Sequence, residues 1–484
     1  MWLRVKSLLL QNQNLRQTVA KNTFWLFFGQ TVSRLIRTAI IIYAARVLGA
    51  EQWGVFAYAL SVAALFTVLI DFGINAIITR ESSRDLAIQE RYFATALAIK
   101  LAMFAVVALI LVLGMPVLVR QAEVRALLWT VVLIIGFDSF KDFGAALSRA
   151  WEKMEIEAGI HILTNAAIVV AGFLALWLSP TPGALAWGYA VGTGVGMLVS
   201  FLPFRRYFQS LRQNFSWQLV RPIFVSCWPL ALMGILGGLM LNTDTIMIGW
   251  FRDTAQVGYY AAAQRIGQLI YILPGLVAAA LFPSLAKFAA DRDRFRSLLD
   301  KSLTMLSLIA VPAMIGGVIL AQKIIVLLFG SAYAPAAASF FLMNLTYLPV
   351  FLAANLGNAV FALNQERKLF GYFLIGAVGN AAFNLLFIPW LGITGAALST
   401  LVNQIIATSF LFFILRRETS LAFFRQTGKI FLAALVMGVG VYLLELNQVP
   451  VLLNIAAGAI IYLVMLRVAR ETLLIEAWNT VRGR

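Results

Sequence analysis

Apolar runs of about 20 residues recur along this 484-residue chain from Phe24 to Val468, which is what an α-helix needs to cross the ~30 Å bilayer core. The runs fall near 22–46, 53–79, 93–115, 126–148, 157–178, 184–204, 222–249, 257–283, 302–320, 337–363, 369–389, 393–415, 429–446 and 450–468. The connections between them are short, and none could fold as a soluble domain. The expected fold is therefore an all-α membrane protein of about 14 transmembrane helices. Only 12% of residues are charged, about half the share found in soluble domains.

The net charge of +17 would suggest a nucleic-acid partner in a soluble protein, but its distribution follows membrane topology instead. Cations crowd onto alternate connections, as in Arg80, Arg84 and Arg91, or Arg205, Arg206, Arg212 and Arg221. The intervening connections hold only Arg46, Arg120, Arg125, Arg252 and Lys323. The positive-inside rule then places both termini in the cytoplasm of a multi-pass inner-membrane protein, with no nucleic-acid partner. Residues 1–21 read as a retained basic cytoplasmic arm that could lie on membrane lipids, since no A-x-A-like cleavage site follows them. With one cysteine, Cys227, and one histidine, His161, neither a disulfide within the chain nor a structural zinc site is expected.

An internal repeat organises the spans. "AEQWGVFAYA" (Ala50 to Ala59) and "TAQVGYYAAA" (Thr254 to Ala263) match at four positions in register, each at the opening of a span. They lie six spans apart and so share an orientation, the pattern of parallel repeats. The expected organisation is an N-lobe over 22–204, a cytoplasmic linker over 205–221 and a C-lobe over 222–415. Residues 416–484 add two further spans and a cytoplasmic tail, so two six-helix lobes are followed by two C-terminal helices.

A charge at the centre of a span costs about 2.5–3.5 kcal/mol on insertion scales and normally faces an internal cavity or a counter-charge. Arg34 and Arg37 share one face of the first span with Gln30, at i, i+4 and i+7. Asp138, Lys141 and Asp142 do the same in the fourth span, and Asp244 lies near the end of the seventh. One reading pairs these groups to pin helices together. The other makes Arg34, Arg37, Lys141 and Arg265 the wall of a hydrated cationic cavity for an anionic group. Arginine suits phosphate because its planar fork binds two oxygens and stays protonated. Lys100 is expected to snorkel to the membrane surface, and His161 to cap or pack.

Several short matches carry nothing. "DFG" at Asp71 to Gly73 lacks every other kinase element, and "VGTGVG" at Val191 to Gly196 lacks a βαβ unit. Gly192 and Gly196 are expected instead to form a close helix–helix contact. With no P-loop, direct use of ATP is not expected.

The stretch "RLIRTAIIIYAARVLGAEQWGVFAYALSVAALFTVLIDFGINAIITRE" (Arg34 to Glu81) resembles the opening of Wzx-type O-antigen and exopolysaccharide flippases. These form the polysaccharide-transport family of the multidrug/oligosaccharidyl-lipid/polysaccharide exporter superfamily. "NTDTIMIGWFRDTAQVGYYAAAQRI" (Asn242 to Ile266), "LLFGSAYAPAA" (Leu327 to Ala337) and "NLLFIPWLGITGAALST" (Asn384 to Thr400) resemble later segments of the family. The resemblance implies a non-enzymatic flippase that moves an undecaprenyl-diphosphate-linked oligosaccharide, a surface-polysaccharide repeat unit, by alternating access. It carries the cationic-cavity role to Arg34, Arg37 and Arg265, and implies a polysaccharide polymerase and glycosyltransferases as partners. No cofactor is expected. Na+ or H+ coupling stays open, with Asp138, Asp142 and Asp244 as the available carboxylates. The alternatives are a multidrug exporter of the same fold, whose cationic drugs the paired arginines disfavour, and a membrane glycosyltransferase, for which the connections are short.

Overall fold

In the computed structural model, residues 15–84, 88–418, 423 and 427–471 are described. The start of the basic arm, Arg425 and the tail from 472 onward lie outside the described residues. The helices are α1 (Leu15–Asp71), α2 (Ile74–Arg84), α3 (Gln89–Leu118), α4 (Ala122–Ala126), α5 (Leu128–Ala150), α6 (Met154–Leu178) and α7 (Pro182–Phe201). A 3-10 segment and α8 (Leu211–Asn214) lead to α9 (Trp217–Phe251), α10 (Thr254–Ile270), α11 (Ile272–Lys287) and α12 (Arg292–Ile319). Then come α13 (Ala321–Phe329), α14 (Ala337–Leu345), α15 (Tyr347–Ala362), α16 (Glu366–Leu374) and α17 (Asn380–Leu391). The last three are α18 (Ile393–Glu418), α19 (Gly428–Leu446) and α20 (Val451–Val468).

Among the described residues, 12 helical stretches are long and apolar enough to cross a membrane. The first of them, Gln17–Arg84, holds two spans, because α1 breaks at Gly49 (φ 72, ψ 172), a conformation open to glycine. The charged α5 is not among the 12, since Asp138, Lys141 and Asp142 interrupt its apolar length. These two additions account for the spans expected from hydropathy. Large apolar side chains lie exposed along the helices, as lipid-facing surfaces require, with Trp177, Trp217 and Trp390 at span ends, where indole rings favour the interface.

The chain divides into two compact units, Met1–Gly258 and Tyr259–Arg484. In the first, α6 packs against α1 and α7, and α9 also packs on α1. The α6–α7 crossing is close because a Cβ at Gly192 would come 2.5 Å from the Ile168 backbone, and one at Gly196 2.1 Å from the Thr164 hydroxyl. Small residues let these backbones approach, as the sequence spacing led us to expect. An aromatic cluster of Phe93, Phe143, Trp151, Phe204 and Tyr207 fills one end of the unit. In the second unit, α15 packs against α11, α12 and α18, while α19 and α20 pair with each other and α19 meets α12.

The two copies of the repeated motif meet. A Cβ on Gly54 would lie 1.7 Å from the carbonyl oxygen of Thr254, and one on Gly258 would lie 1.9 Å from that of Ala50. Gly54 and Gly258 occupy equivalent places in the two copies, as do Ala50 and Thr254. Each glycine is thus pressed onto the first turn of the other copy in a reciprocal contact.

Candidate functional site

In the first unit, the polar faces of α1, α5 and α6 form one network. Its start is Arg37, half-buried on α1, whose Nε donates to Asn165 Oδ1 at 2.6 Å. Asn165 in turn donates through Nδ2 to the His161 carbonyl at 2.7 Å. Glu157, His161 and Asn165 recur every four residues along α6, so they form a polar stripe on one face. Glu157 is buried, accepts from Arg149 Nε at 2.9 Å, and lies 3.5 Å from His161 Nε2. Lys21 is buried as well and pairs with Glu155 at 3.1 Å.

On α5, Lys141 is buried with its ammonium 2.5 Å from Asp138 and 3.2 Å from Asp142. Two carboxylates around one ammonium give this helix face a net negative charge, although Lys141 itself is hidden beneath them. The aspartates are about a third exposed. Both Arg37 and His161 lie within electrostatic reach of Asp138. Arg34 differs from every other cation of the network. It is exposed, sits within reach of Arg37, and makes no side-chain hydrogen bond or ion pair among the described residues. Counting Arg34, Arg37, Lys141, Asp138 and Asp142 as charged leaves this patch positive.

Lys100 does not snorkel. It is fully buried, with Nζ 3.0 Å from Asp71 Oδ1 and 3.2 Å from Asn75 Oδ1, and it lies over the Phe143 ring. The reason is local: the chain turns between α1 and α2 at Phe72 and Gly73, which brings Asp71 and Asn75 to the same side. An unpaired ammonium could not remain dry there, whereas a paired and hydrogen-bonded one can. The Gly73 amide also donates to Asp71, at 3.3 Å.

Asp244 is buried in α9 of the first unit, where it has interaction partners. Arg265 belongs to the second unit, where its Nη1 donates to Gln268 Oε1 at 3.0 Å. The structure therefore brings Arg34, Arg37, Asp138, Lys141 and Asp142 into one neighbourhood within the first unit. Sequence reasoning missed Asn165, the Arg149–Glu157 pair and the Asp71–Lys100–Asn75 cluster. The four-residue spacing of Glu157, His161 and Asn165 was the signal available for the first two. No cluster of metal-ligating side chains occurs among the described residues.

Residues 19–289, more than half of the chain, match the polysaccharide biosynthesis protein family. The chain belongs to that family. It is 22% identical over 87% of its length to a probable low-salt glycan biosynthesis flippase of Haloferax volcanii, covering 88% of that protein. It is 23% identical over 97% of its length to the succinoglycan biosynthesis transport protein ExoT of Rhizobium meliloti, covering 96% of it. In three dimensions it resembles the lipid II flippase MurJ in an inward closed conformation, with a TM-score of 0.77 at 16% identity. That match covers 93% of this chain and 99% of that one. An inward-facing multidrug transporter of the MOP superfamily aligns more loosely, with a TM-score of 0.59 at 14% identity, covering 82% of this chain and 96% of that one. These likenesses establish the fold, that of a multi-pass helical membrane protein.

Proposed function

We propose that this family member is a flippase that carries an oligosaccharide linked to undecaprenyl diphosphate across the cytoplasmic membrane. The observation that carries the reading is Arg34. It is a permanent cation inside a membrane span, exposed and unpaired among the described residues, beside a second arginine whose side chain is held in place by Asn165. An insertion cost of about 2.5–3.5 kcal/mol with no internal counter-charge is intelligible if a mobile anion fills the position. A diphosphate offers several oxygens to paired guanidinium forks. The relatives named for glycan, succinoglycan and lipid II transport support the same substrate class. They also favour transport over catalysis.

Transport would proceed by alternating access, with both termini cytoplasmic as the alternate placing of the cations suggests. A polysaccharide polymerase and glycosyltransferases would act before and after this step on the same carrier. The related multidrug transporters share the fold, but a cavity presenting arginines repels cationic drugs, so the anionic substrate is preferred. The Asp138–Lys141–Asp142 group and Asp244 are the carboxylates through which Na+ or H+ coupling would act, and neither ion is favoured over the other.

The test is export of surface polysaccharide in cells carrying Arg34→Ala or Arg37→Ala. Both variants should insert normally and lose most export. Normal export in both would remove the cationic-cavity argument.

A further inference from the structure

The second unit contains an apolar groove of about 660 Å³ between α12, α15 and α18, within the size range of small-molecule sites. One wall runs down α18 from Leu401 through Ile405 to Arg416, and Leu348 of α15 and Leu303 of α12 face it. The hydroxyl of Thr408 on that wall is already committed. It donates to the Pro349 carbonyl at 3.1 Å and accepts from the Gln404 amide at 3.2 Å. The groove is therefore greasy along its length and charged at one end. At that end Arg416 is exposed, and its side chain makes no hydrogen bond or ion pair among the described residues.

Length narrows the choice of occupant. The fifteen helical steps from Leu401 to Arg416 rise about 22 Å at 1.5 Å each. One leaflet of the bilayer core is roughly 15 Å deep. A single acyl chain confined to its own leaflet would cover only part of the groove, whereas one longer polyprenyl chain could run its whole length. A second groove of about 500 Å³, between α12, α19 and α20, has no charged side chain in its lining and so offers a phosphate nothing.

We propose that the groove along α18 holds the isoprenoid chain of the lipid-linked substrate, with Arg416 on its diphosphate. This rests on the flippase reading above and adds a second phosphate contact, remote in sequence from Arg34 and Arg37. On the positive-inside topology Arg416 lies at the cytoplasmic end of its span, so the groove would receive the lipid before translocation.

The test uses the full-length protein in phosphatidylcholine nanodiscs with a sugar-free undecaprenyl diphosphate bearing a diazirine on its chain. Labelled peptides should map to α12, α15 and α18. Arg416→Gln should weaken labelling about tenfold, the effect of losing one charge-assisted contact. Ile405→Trp, at a half-exposed position, should block labelling by filling the groove while leaving the protein folded. Unlabelled undecaprenyl diphosphate should compete, and phosphatidic acid should not. Equal competition by phosphatidic acid would make this a general lipid groove and overturn the proposal. So would labelling unchanged in both variants. Label confined to other helices overturns the groove while leaving the substrate class intact. No specific label anywhere overturns the groove, and joined to normal export in the Arg34 and Arg37 variants it removes the flippase reading too.

Discussion

The reciprocal glycine contact makes a sharp quantitative prediction. In Gly54→Ala the new methyl would sit 1.7 Å from the Thr254 carbonyl oxygen, and ordinary van der Waals contact begins near 3.4 Å. The obstacle is backbone, which cannot rotate away, so the two helices must move apart by well over 1 Å at the crossing. Over-packing of this kind costs about 1–3 kcal/mol, and the rigidity of the contact argues for the upper part of that range. Gly258→Ala meets the Ala50 carbonyl at 1.9 Å and should cost nearly as much. The double variant is the informative one. Once the first methyl has forced the crossing open, the second finds room, so the combined loss should fall short of the sum by about 1 kcal/mol or more. Thermal unfolding of the purified protein in detergent, compared across the parent and the three variants, reads this directly. Single variants within about 0.5 kcal/mol of the parent would place them among ordinary surface substitutions and refute the close crossing. Strict additivity would refute the reciprocal geometry.

Lys100→Met should be among the most destabilising single changes in the first unit, by about 3 kcal/mol. It leaves Asp71, about 30% exposed, without its ammonium, so the loss should sit at the low end of the roughly 3–5 kcal/mol that breaking a buried pair from one side costs. Adding Asp71→Asn should recover a substantial part of the melting temperature; no recovery would mean that the pair is not what holds the α1–α2 turn to α3. Asn165→Ala should cost about 1.5 kcal/mol by removing the acceptor of the 2.6 Å bond from Arg37, a hydrogen bond to a charged group. Because the contact is shared, Arg37→Ala combined with Asn165→Ala should be little worse than Arg37→Ala alone, and a fully additive double would exclude the coupling. Arg149→Met should be destabilising in the same way, leaving Glu157 buried with only His161 near it. Equal stability of Arg149→Met and the parent, measured by the same unfolding assay, would show that Glu157 is hydrated.

The spans were legible because each must present about 20 apolar residues to lipid, and that demand survives any detail of packing. The contact between the repeats was foreshadowed by the match of Ala50–Ala59 with Thr254–Ala263, although nothing in the sequence said that the copies touch. Helix rotation was mostly hidden. A helix apolar all round carries no amphipathic face from which to read its orientation, so hydropathy located the third span without showing where Lys100 points. Its partners, Asp71 and Asn75, depend on a turn at Phe72 and Gly73 that lies within an otherwise continuous apolar pattern. Where polar residues recur at helical spacing, the face was readable. Arg34 with Arg37, and Asp138 with Lys141 and Asp142, share helix faces by that spacing and lie together in the first unit. The signal is weaker in α6, whose Glu157, His161 and Asn165 also recur at a helical spacing but include only one permanent charge.

These placements divide the charges of the first unit by what holds them. Lys100 with Asp71, Lys141 with Asp138 and Asp142, and Arg149 with Glu157 each have an internal counter-charge within hydrogen-bonding distance. Each set has one buried member, Lys100, Lys141 or Glu157, and removing its partner leaves that charge buried and uncompensated, so the first consequence is lost stability. Arg34 has no such partner among the described residues. Replacing it strands nothing and removes a cation that the fold itself does not neutralise, so stability should be unchanged or slightly improved. Loss of transport without loss of stability at Arg34, set against loss of both at Lys100, would separate the charges that build the membrane domain from the one that faces its cargo. If Arg34→Ala instead melts the protein as severely as Lys100→Met, the arginine is a structural member with an unseen partner, and the substrate phosphate is not needed to explain it.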